Sequence, residues 1–393
     1  MPLGLYISVP FCRTKCSYCN FASAVFSRAV FEKYVAGVCA EIEQAAQTAE
    51  QMGGLIERAV DSIYLGGGTP TLLDAKQLER IFVTIRQNFE MKEGAEITVE
   101  CAPGTLTASV LQSLQNCGVN RVSLGVQSFD DKEASSVGRL HRRATVIDDI
   151  ARLRIEGISN INVDLIAGLP HQTGESWKAS LDQLIALHVS HASIYMLEID
   201  EDSRLGRELI AGGQKYHAHF VPDEDLTADM YEAATEGLNA AGISQYEISN
   251  FARPGFESRH NLKYWTRQPY LASGVDAHSM LHSVNDKTGV RFSNPDSLEK
   301  YLSGSAKEST LVTSGDALQE AFFLGLRMNR GVDIQDLVAE FGENAIGAYK
   351  QSISELTTAK LLEDDGRTIR LTPRGRMLSN EVFERFISVD FAV

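Results

Sequence analysis

Three cysteines lie within eight residues, at Cys12, Cys16 and Cys19, directly after the first apolar run of the chain. Three thiolates at this spacing can each bind one iron of a cubane [4Fe–4S] cluster, and the loop offers no fourth cysteine. The remaining iron is then free to bind a small chelating molecule, such as the amino and carboxylate groups of S-adenosylmethionine. The spacing therefore predicts an iron–sulfur cluster with one open coordination position.

A zinc site and a chance group of unreactive thiols are the alternatives to the cluster. Structural zinc takes four protein ligands, and the nearest histidine in sequence is His141. Unreactive cysteines are usually buried among apolar neighbours, as we predict for Cys39 and Cys117 in helical patterns and for Cys101 beside a candidate site residue. A polar loop with three cysteines favours the cluster.

Elements that could position this loop alternate along the first half of the chain. Short runs rich in Val, Ile, Leu or Tyr predict strands, at 5–9, 62–65, 96–99, 121–124, 161–165 and 193–197. Helical patterns lie between them, near 31–49, 74–88, 106–117, 144–156 and 176–188. Such βα repeats predict a parallel sheet with right-handed crossovers, here an α/β fold with a partial (β/α)6, TIM-like barrel.

Polar residues follow several of these predicted strands where the strands end. The second strand runs into a glycine-rich turn that includes Gly67, Gly68 and Thr69, the third ends at Glu100, and the fifth carries Asp164. Chemistry in parallel barrels takes place at the carboxyl ends of the strands. A flexible turn and helix-capping carboxylates are the structural alternatives, but an unpaired Asp164 within an apolar run would be costly to bury.

The chain divides into three predicted parts: the barrel at 1–240, a connecting region at 241–310 with little regular structure from 246 to about 294, and a C-terminal domain at 311–393. The last part shows helices near 317–326, 334–341 and 346–359, then a short ribbon at 361–371, which predicts a winged-helix-like α+β domain. Residues 311–393 carry 9 Lys/Arg and 13 Asp/Glu, a net charge of −4, so DNA binding by this domain is not expected.

The overall composition excludes several classes of protein. A net charge of −15 disfavours nucleic-acid binding, and 44% hydrophobic with 23% charged residues is typical of a globular chain. The sequence contains no run of about 20 apolar residues, so no membrane span is predicted. The short apolar N-terminus lacks the pattern of a signal peptide. Cysteines grouped for metal binding rather than for disulfides predict a reducing, cytoplasmic location.

The motif CxxxCxxC, with Tyr18 before its last cysteine, resembles the signature of the radical S-adenosylmethionine superfamily. Over essentially the whole chain, the pattern further resembles oxygen-independent coproporphyrinogen oxidases and their relatives. The resemblance implies that Tyr18 packs near the adenine of S-adenosylmethionine. It also implies that further residues contact this cofactor, namely Tyr6, Gly67, Gly68, Thr69, Glu100, Gln127, Arg139 and Asp164.

One position separates the oxidases of this family from the other members. The motif of the oxidases is CxxxCxxCxC, with a fourth cysteine two residues after the third. Phe21 occupies that position here. This departure removes a feature of the decarboxylating enzymes and makes coproporphyrinogen turnover the alternative rather than the leading hypothesis.

A second motif, at 260–265, is similar to the HNxxYW motif of HemW-type haem chaperones. The resemblance implies that His260, Tyr264 and Trp265 contact haem, because a neutral imidazole can ligate haem iron and aromatic faces suit a porphyrin. A hydrogen-bonded histidine packed on two aromatic rings is the structural alternative. His278 is a second candidate, although relatives show a glycine-rich GxGAHS where Asp276 stands here.

The resemblance therefore implies a haem chaperone that carries a [4Fe–4S] cluster and S-adenosylmethionine and passes haem to an acceptor protein, with respiratory proteins as one expected class. The first alternative is radical-based oxidative decarboxylation of coproporphyrinogen III or a related tetrapyrrole. The second is an electron-transfer or scaffold protein that keeps only the cluster. The sequence leaves the identity of the acceptor and the oligomeric state open.

Overall fold

The computed structural model describes residues 1–284 and 289–387. Residues 285–288 of the predicted connecting region and 388–393 of the predicted C-terminal domain lie outside the described residues. The strands of the described part are β1 (Leu3–Val9), β2 (Gly54–Leu55), β3 (Ala59–Gly67), β4 (Glu90–Cys101), β5 (Arg121–Gln127), β6 (Asn160–Ala167), β7 (His191–Met196), β8 (Ser244–Gln245), β9 (Asn250–Ala252), β10 (Tyr270–Ser273), β11 (His278–Ser283), β12 (Gly289–Ser293), β13 (Glu308–Val312), β14 (Val332–Asp333), β15 (Leu362–Asp364) and β16 (Thr368–Leu371).

The helices begin with α1, which follows the cysteine loop. They are α1 (Phe31–Glu43), α2 (Ala45–Gln51), α3 (Ala75–Asn88), α4 (Ala108–Asn116), α5 (Asp131–Ser136), α6 (Arg143–Ile155), α7 (Gly174–Ala186), α8 (Arg204–Ala211), α9 (Glu224–Ala240), α10 (Arg259–Trp265), α11 (Leu298–Leu302), α12 (Ser314–Arg327), α13 (Ile334–Phe341), α14 (Glu343–Gly347), α15 (Lys350–Thr358), α16 (Pro373–Met377) and α17 (Ser379–Ile387). Across residues 1–284 and 289–387, no helix is both long and apolar enough to cross a membrane.

The predicted partial barrel is confirmed. Strands β1, β3, β4, β5, β6 and β7 pair in parallel in this order, and helices connect them. The barrel stays open, because β1 pairs in parallel with β10 on its other side and β7 pairs with the antiparallel strand β9. All carboxyl ends of the six barrel strands therefore lie at one end, where the cysteine loop begins.

Alternation along the strands gives the barrel an apolar outside and a polar inside. In β1, Leu5 and Ile7 are buried in the hydrophobic core, whereas Tyr6 lies between them on the other face. In β6, Val163 belongs to the core and Asp164 lines a cavity. The helices thus pack on one face of each strand, and the polar residues between the apolar ones point into the barrel.

Local signals in the sequence set several helix ends. Asp74 caps α3 in a reciprocal capping box with Gln77, and Thr107 caps α4. Gly118 and Gly157 follow α4 and α6 with φ of +72° and +83°, the left-handed conformation that favours glycine at a helix end. The single helix predicted at 31–49 is instead two helices, because the chain leaves helical geometry at Gln44.

The prediction of little regular structure between 246 and about 294 is wrong. This segment contains β9, α10, β10, β11 and β12, and three of these strands continue the sheet beyond β1. The strands are short and carry few apolar residues, so their sequence lacks the continuous runs that marked the barrel strands. The strands β9 and β10 pair with β7 and β1, which are distant in sequence, and such contacts have no local sequence signal.

The C-terminal part has its own apolar core and the predicted winged-helix-like order. Helices α12 to α15 precede a ribbon of β15 and β16, and β14 adds a third antiparallel strand. The helix predicted at 346–359 is split into α14 and α15. Salt bridges from Arg267 to Glu340 at 3.1 Å and from Arg291 to Glu320 at 2.8 Å join this part to the extended sheet.

Candidate functional site: a cysteine loop over a polar barrel

The cysteine loop begins where β1 ends. Cys12, Cys16 and Cys19 are free, partly exposed thiols, and all three line one cavity. The loop closes on itself because Cys12 N–H donates to the carbonyl of Ala24 at 2.9 Å and Ala24 N–H donates to that of Pro10 at 2.9 Å. A loop held by its own backbone thus presents three thiols to a common space.

A second segment of the barrel holds the loop from the side. The hydroxyl of Thr14 donates to the carbonyl of Gly138 at 2.9 Å, and Arg139 Nη1 lies 3.7 Å from Cys16 Sγ. A guanidinium beside the sulfur places a positive charge next to a ligand of the predicted cluster. The sequence-predicted Arg139 therefore lies where it can support the cluster as well as a cofactor carboxylate.

The donor set fits a three-cysteine cluster and not a mononuclear site. Within residues 1–284 and 289–387, no three His, Cys, Asp or Glu side chains converge on one ion position, as zinc would require. In a cubane each cysteine binds a different iron, so convergence is not needed. Cys101 also lines the cavity, but burial raises the pKa of its thiol to about 12, so the thiol stays protonated.

The glycine turn after β3 packs directly against the start of the cysteine loop. Gly68 N–H donates to the carbonyl of Val9 and Thr69 N–H to that of Phe11, both at 2.8 Å. Gly67 has φ of +97°, and a Cβ on Gly68 would lie 2.7 Å from the carbonyl oxygens of Val9 and Phe11. Glycine is required at both positions, for its left-handed backbone at Gly67 and for the close approach at Gly68.

Replacing Gly68 by alanine is expected to lower the stability by about 1–3 kcal/mol, because the new methyl group must displace main-chain atoms. The displaced atoms lead into the cysteine loop, so the iron content after reconstitution should fall too. Thermal unfolding and iron analysis measure both effects. Gly174→Ala is the matched control, since a Cβ there meets nothing within 4 Å. Equal melting temperatures for the two variants would contradict this role of Gly68.

A cavity of about 1000 Å³ lies between the cysteine loop and the carboxyl ends of the barrel strands. The sequence-predicted residues that line it are Cys12, Cys16, Tyr18, Cys19, Gly67, Gly68, Thr69, Glu100, Gln127, Arg139 and Asp164. The structure thus brings together eleven of the twelve residues predicted to hold the cluster or S-adenosylmethionine. Tyr6, the twelfth, lines an adjoining smaller pocket.

Two acidic side chains on the cavity wall are held by hydrogen bonds from their neighbours. Tyr64 donates to Glu100 at 2.8 Å, while Ser123 and Asn162 donate to Asp164 at 3.1 and 2.6 Å. Burial raises the pKa of Glu100 to about 7, with a further contribution from the charge of Asp164, and burial also raises the pKa of Asp164. Carboxylates held in this way are suited to accept hydrogen bonds from ligand hydroxyl groups.

Gln127 lies at the end of β5 in a conformation unusual for its residue type. Its φ is +71°, and the pairing of β5 with β6 shifts register between Gly125 and Gln127. Arg139 Nη2 donates to the carbonyl of Gly125, so the same arginine holds both the strand end and the cysteine loop. Backbone strain of this kind is common where a side chain is aimed at a ligand.

Arg121 is a cavity residue that sequence reasoning missed. Its side chain is 1% exposed and lines the cavity, yet Nε and Nη1 have no hydrogen-bond partner among the described residues. Its charge lowers the pKa values of Glu100 and Asp164 and so offsets part of their burial. The available signal was the alternation along β5, which places Arg121 on the same inward face as Ser123.

The HNxxYW motif forms α10, which contacts β3 beneath the cavity. The carboxylate of Glu96 accepts hydrogen bonds from the backbone N–H groups of Arg259 and His260, each at 3.1 Å. These contacts satisfy two of the donors that a helix N-terminus leaves free. Asn261 of the motif faces the large cavity. The motif therefore contacts the barrel strands through Glu96 and the large cavity through Asn261.

His260 is enclosed by the protein. Its side chain is fully buried, Nδ1 lies 3.0 Å from Ser62 Oγ, and Nε2 lies 2.9 Å from Tyr264 Oη. Burial lowers the pKa of His260 to about 3, and the positive charges of Lys263 and Arg121 contribute. The imidazole is therefore neutral near pH 7, with both ring nitrogens hydrogen-bonded.

The other two predicted haem residues lie in different surroundings. Tyr264 lines the smaller pocket, about 290 Å³ in volume, together with Tyr6. The guanidinium of Arg327 lies 4.3 Å from the ring centre of Trp265, a cation–π contact between α10 and the C-terminal part. In this structure His260, Tyr264 and Trp265 do not face one common space.

Two family models match separate parts of the chain. Residues 6–184 match the model of the radical SAM superfamily, and residues 312–378 match the HemN C-terminal domain. A protein of Lactococcus lactis named "Heme chaperone HemW" is 33% identical over 99% of this chain and 98% of its own length. The protein of the same name in Bacillus subtilis is also 33% identical, over 97% of this chain and 98% of its own length.

This chain belongs to the HemW family. Radical SAM proteins carry a [4Fe–4S] cluster and S-adenosylmethionine, and the cysteine loop and polar cavity fit both groups. The solved structure of the Escherichia coli coproporphyrinogen III oxidase HemN is 24% identical, with a TM-score of 0.84 over 98% of this chain and 90% of that one. The likeness in structure confirms the predicted fold.

Proposed function

We propose that this HemW-family protein is a haem chaperone, which binds haem and transfers it to an acceptor protein. The observation that carries the proposal is the similarity over nearly the whole chain to proteins named as haem chaperones. Phe21 supports it, because the oxidases that the family resembles have a cysteine at that position. An aromatic pocket beside the cysteine loop supports it too, since flat rings suit a porphyrin.

The cluster and S-adenosylmethionine occupy the large cavity in this proposal. Cys12, Cys16 and Cys19 hold three irons, and the chelating groups of S-adenosylmethionine bind the fourth. The cluster supplies an electron that can break the cofactor's C–S bond. Protein contacts to S-adenosylmethionine come from the wall of the cavity and its rim, at Tyr6, Tyr18, Gly67, Gly68, Thr69, Glu100, Gln127, Arg139 and Asp164.

The acceptor is a haem-requiring apoprotein, with respiratory haem proteins as the expected class. The setting we propose is the reducing cytoplasm, because the three thiols of the loop are partly exposed and must stay reduced to bind iron. The motif contributes to the haem region through Tyr264, which lines the smaller pocket, with His260 holding Tyr264 in place through their hydrogen bond and Trp265 following Tyr264 in α10.

The proposal predicts saturable binding of about one haem per chain, as expected for a single formed pocket. The measurement is an anaerobic titration of the reconstituted protein with haem, followed by the Soret band. A purified apo-b-type cytochrome is then added, and the Soret band should move to that of the holo-cytochrome, because a chaperone must release its ligand.

An absence of saturable haem binding would contradict the chaperone proposal. The same protein is then incubated anaerobically with coproporphyrinogen III, S-adenosylmethionine and a reductant. Formation of 5′-deoxyadenosine in step with decarboxylated product would identify the oxidase alternative. Haem binding without release to the cytochrome would indicate a haem-storing or haem-using protein instead.

A further inference from the structure

The smaller pocket lies on the side of the barrel where β10 and β11 extend the sheet. Phenol rings of Tyr6, Tyr264 and Tyr270 line it, and Phe21 and His278 stand at its rim. Tyr264 and Tyr270 meet edge to face, with ring centres 4.6 Å apart. Three tyrosines and a phenylalanine around one space provide the aromatic surface that a flat macrocycle can pack against.

The pocket is too small to enclose a whole porphyrin and is suited to receive one edge. Its volume of about 290 Å³ is just below the range for small-molecule sites, about 300–1000 Å³. Phe21 lines the pocket and has 66% of its surface exposed, so its ring is accessible to a ligand. A macrocycle seated in the pocket would cover Phe21 and leave its opposite edge in solvent.

His278 is the imidazole at this pocket that is free to bind iron. Its side chain is 67% exposed, and Nε2 lies 3.4 Å from the carboxylate of Asp276. A carboxylate beside one ring nitrogen orients a histidine for metal binding through the other. His260, by contrast, is buried with both nitrogens engaged, so it could reach iron only after α10 had opened.

The backbone conformation of Asp276 fixes its carboxylate next to His278. Its φ is +54°, a left-handed conformation that few residues other than glycine, asparagine and aspartate adopt readily. Asp276 N–H donates to the carbonyl of Pro295 at 2.9 Å, and Asn294 N–H donates to that of Ala277 at 3.0 Å, so a neighbouring segment fixes the turn. The turn sets the carboxylate next to the imidazole at the start of β11.

We infer that His278 is an axial ligand of haem iron, and that the haem edge enters the pocket formed by Tyr6, Tyr264, Tyr270 and Phe21. The inference rests on the proposed function and names its site. Gly67, Phe21 and Ser23 line both this pocket and the large cavity, so the bound haem lies beside the cofactor region without occupying it. An open rim with an exposed ligand suits a protein that must release haem.

The test is an anaerobic haem titration of the reconstituted full-length protein with His278→Ala, followed by absorption and resonance Raman spectra. The dissociation constant should rise about tenfold to a hundredfold, in the range found when support for a metal ligand is lost. Added imidazole should restore the iron-ligand spectrum in this variant. Asp276→Asn should weaken binding less and keep the histidine-ligated spectrum.

His282→Ala is the matched control, because it removes an imidazole from the same strand four residues further on, away from the pocket lining. Its haem spectrum and affinity should equal those of the wild type. A histidine-ligated spectrum that survives in His278→Ala, or that is lost in His260→Ala and restored there by imidazole, would overturn the assignment while the chaperone proposal stands. A wild-type protein that does not bind haem would overturn both.

Discussion

Replacing any one of Cys12, Cys16 and Cys19 by alanine is expected to abolish the cluster. The wild type should hold about four iron atoms per chain after anaerobic reconstitution, and each variant close to none, because a cubane held by two cysteines has two irons without a protein ligand. Binding of S-adenosylmethionine should be lost with the cluster, since its chelating groups need the open iron. Iron and sulfide analysis and the broad visible absorption of the cluster measure the first effect, and equilibrium dialysis measures the second.

Cys101→Ala is the control for this experiment. Its thiol lines the same cavity but lies 3.5 Å from Thr105 Oγ1, and burial keeps its pKa near 12, so it is a poor iron ligand. This variant should retain the cluster. A cluster that survives in Cys16→Ala, or that is lost in Cys101→Ala, would show that the ligand set differs from the CxxxCxxC motif.

The cysteine variants also separate the two halves of the functional proposal. The haem pocket shares Phe21, Ser23 and Gly67 with the cluster cavity but includes none of the three cysteines. Haem binding should therefore persist in the cluster-free protein, provided that the loop keeps its backbone hydrogen bonds. Loss of haem binding together with the cluster would indicate that the cluster or its loop orders the pocket.

The barrel and its site were predictable because strong local patterns coincide with it. Strands such as β6 contain apolar runs bounded by turn residues, and in parallel barrels the residues at the strand ends converge. This rule predicted that Glu100 and Asp164 lie in the same site. The cysteine loop was predictable from its own sequence, since its three ligands lie within eight residues.

The parts that were not predicted depend on contacts distant in sequence. The strand β10 owes its conformation to pairing with β1, with Tyr270 opposite Gly4, and nothing within its four residues signals this. His260 illustrates the same limit. The sequence gives its type and motif, whereas its burial follows from Ser62 on β3 and from the packing of α10 against the strands. Arg121 was missed because a single charged residue in a strand is usually solvent-facing.

Glu100→Gln is expected to have opposite effects on stability and on cofactor binding. Burial and the nearby charge of Asp164 raise the pKa of Glu100 to about 7, so the charged form is disfavoured in the fold by about 3 kcal/mol. A neutral amide of the same shape removes that cost, and the protein without cofactor should melt at a higher temperature at pH 8. The affinity for S-adenosylmethionine should fall about tenfold to a hundredfold, because a hydrogen bond to a charged acceptor contributes about 1.5–3 kcal/mol.

Glu198→Gln is the matched control for stability. Glu198 lines the same cavity but is exposed, so its charge carries no burial cost and its replacement should leave the melting temperature unchanged. Asp164→Asn should resemble Glu100→Gln, because burial raises the pKa of Asp164 in the same direction. Unchanged cofactor affinity in both site variants would favour a scaffold protein that holds the cluster alone.

The ionisation of Glu100 determines how the stability and the affinity for S-adenosylmethionine change with pH. An acid whose pKa is raised on folding binds its proton more tightly in the folded state, so its contribution to stability is complete below about pH 4.5 and is lost as the pH rises through about 7. The stability difference between Glu100→Gln and the wild type should therefore grow from pH 6 to pH 8. Over the same range the affinity of the wild type for S-adenosylmethionine should increase, since a hydroxyl group donates a stronger hydrogen bond to the charged carboxylate than to the protonated acid. Calorimetric unfolding and cofactor titration at pH 6, 7 and 8 measure the two trends, and a stability difference that stays constant over this range would show that Glu100 does not titrate there and would contradict its raised pKa.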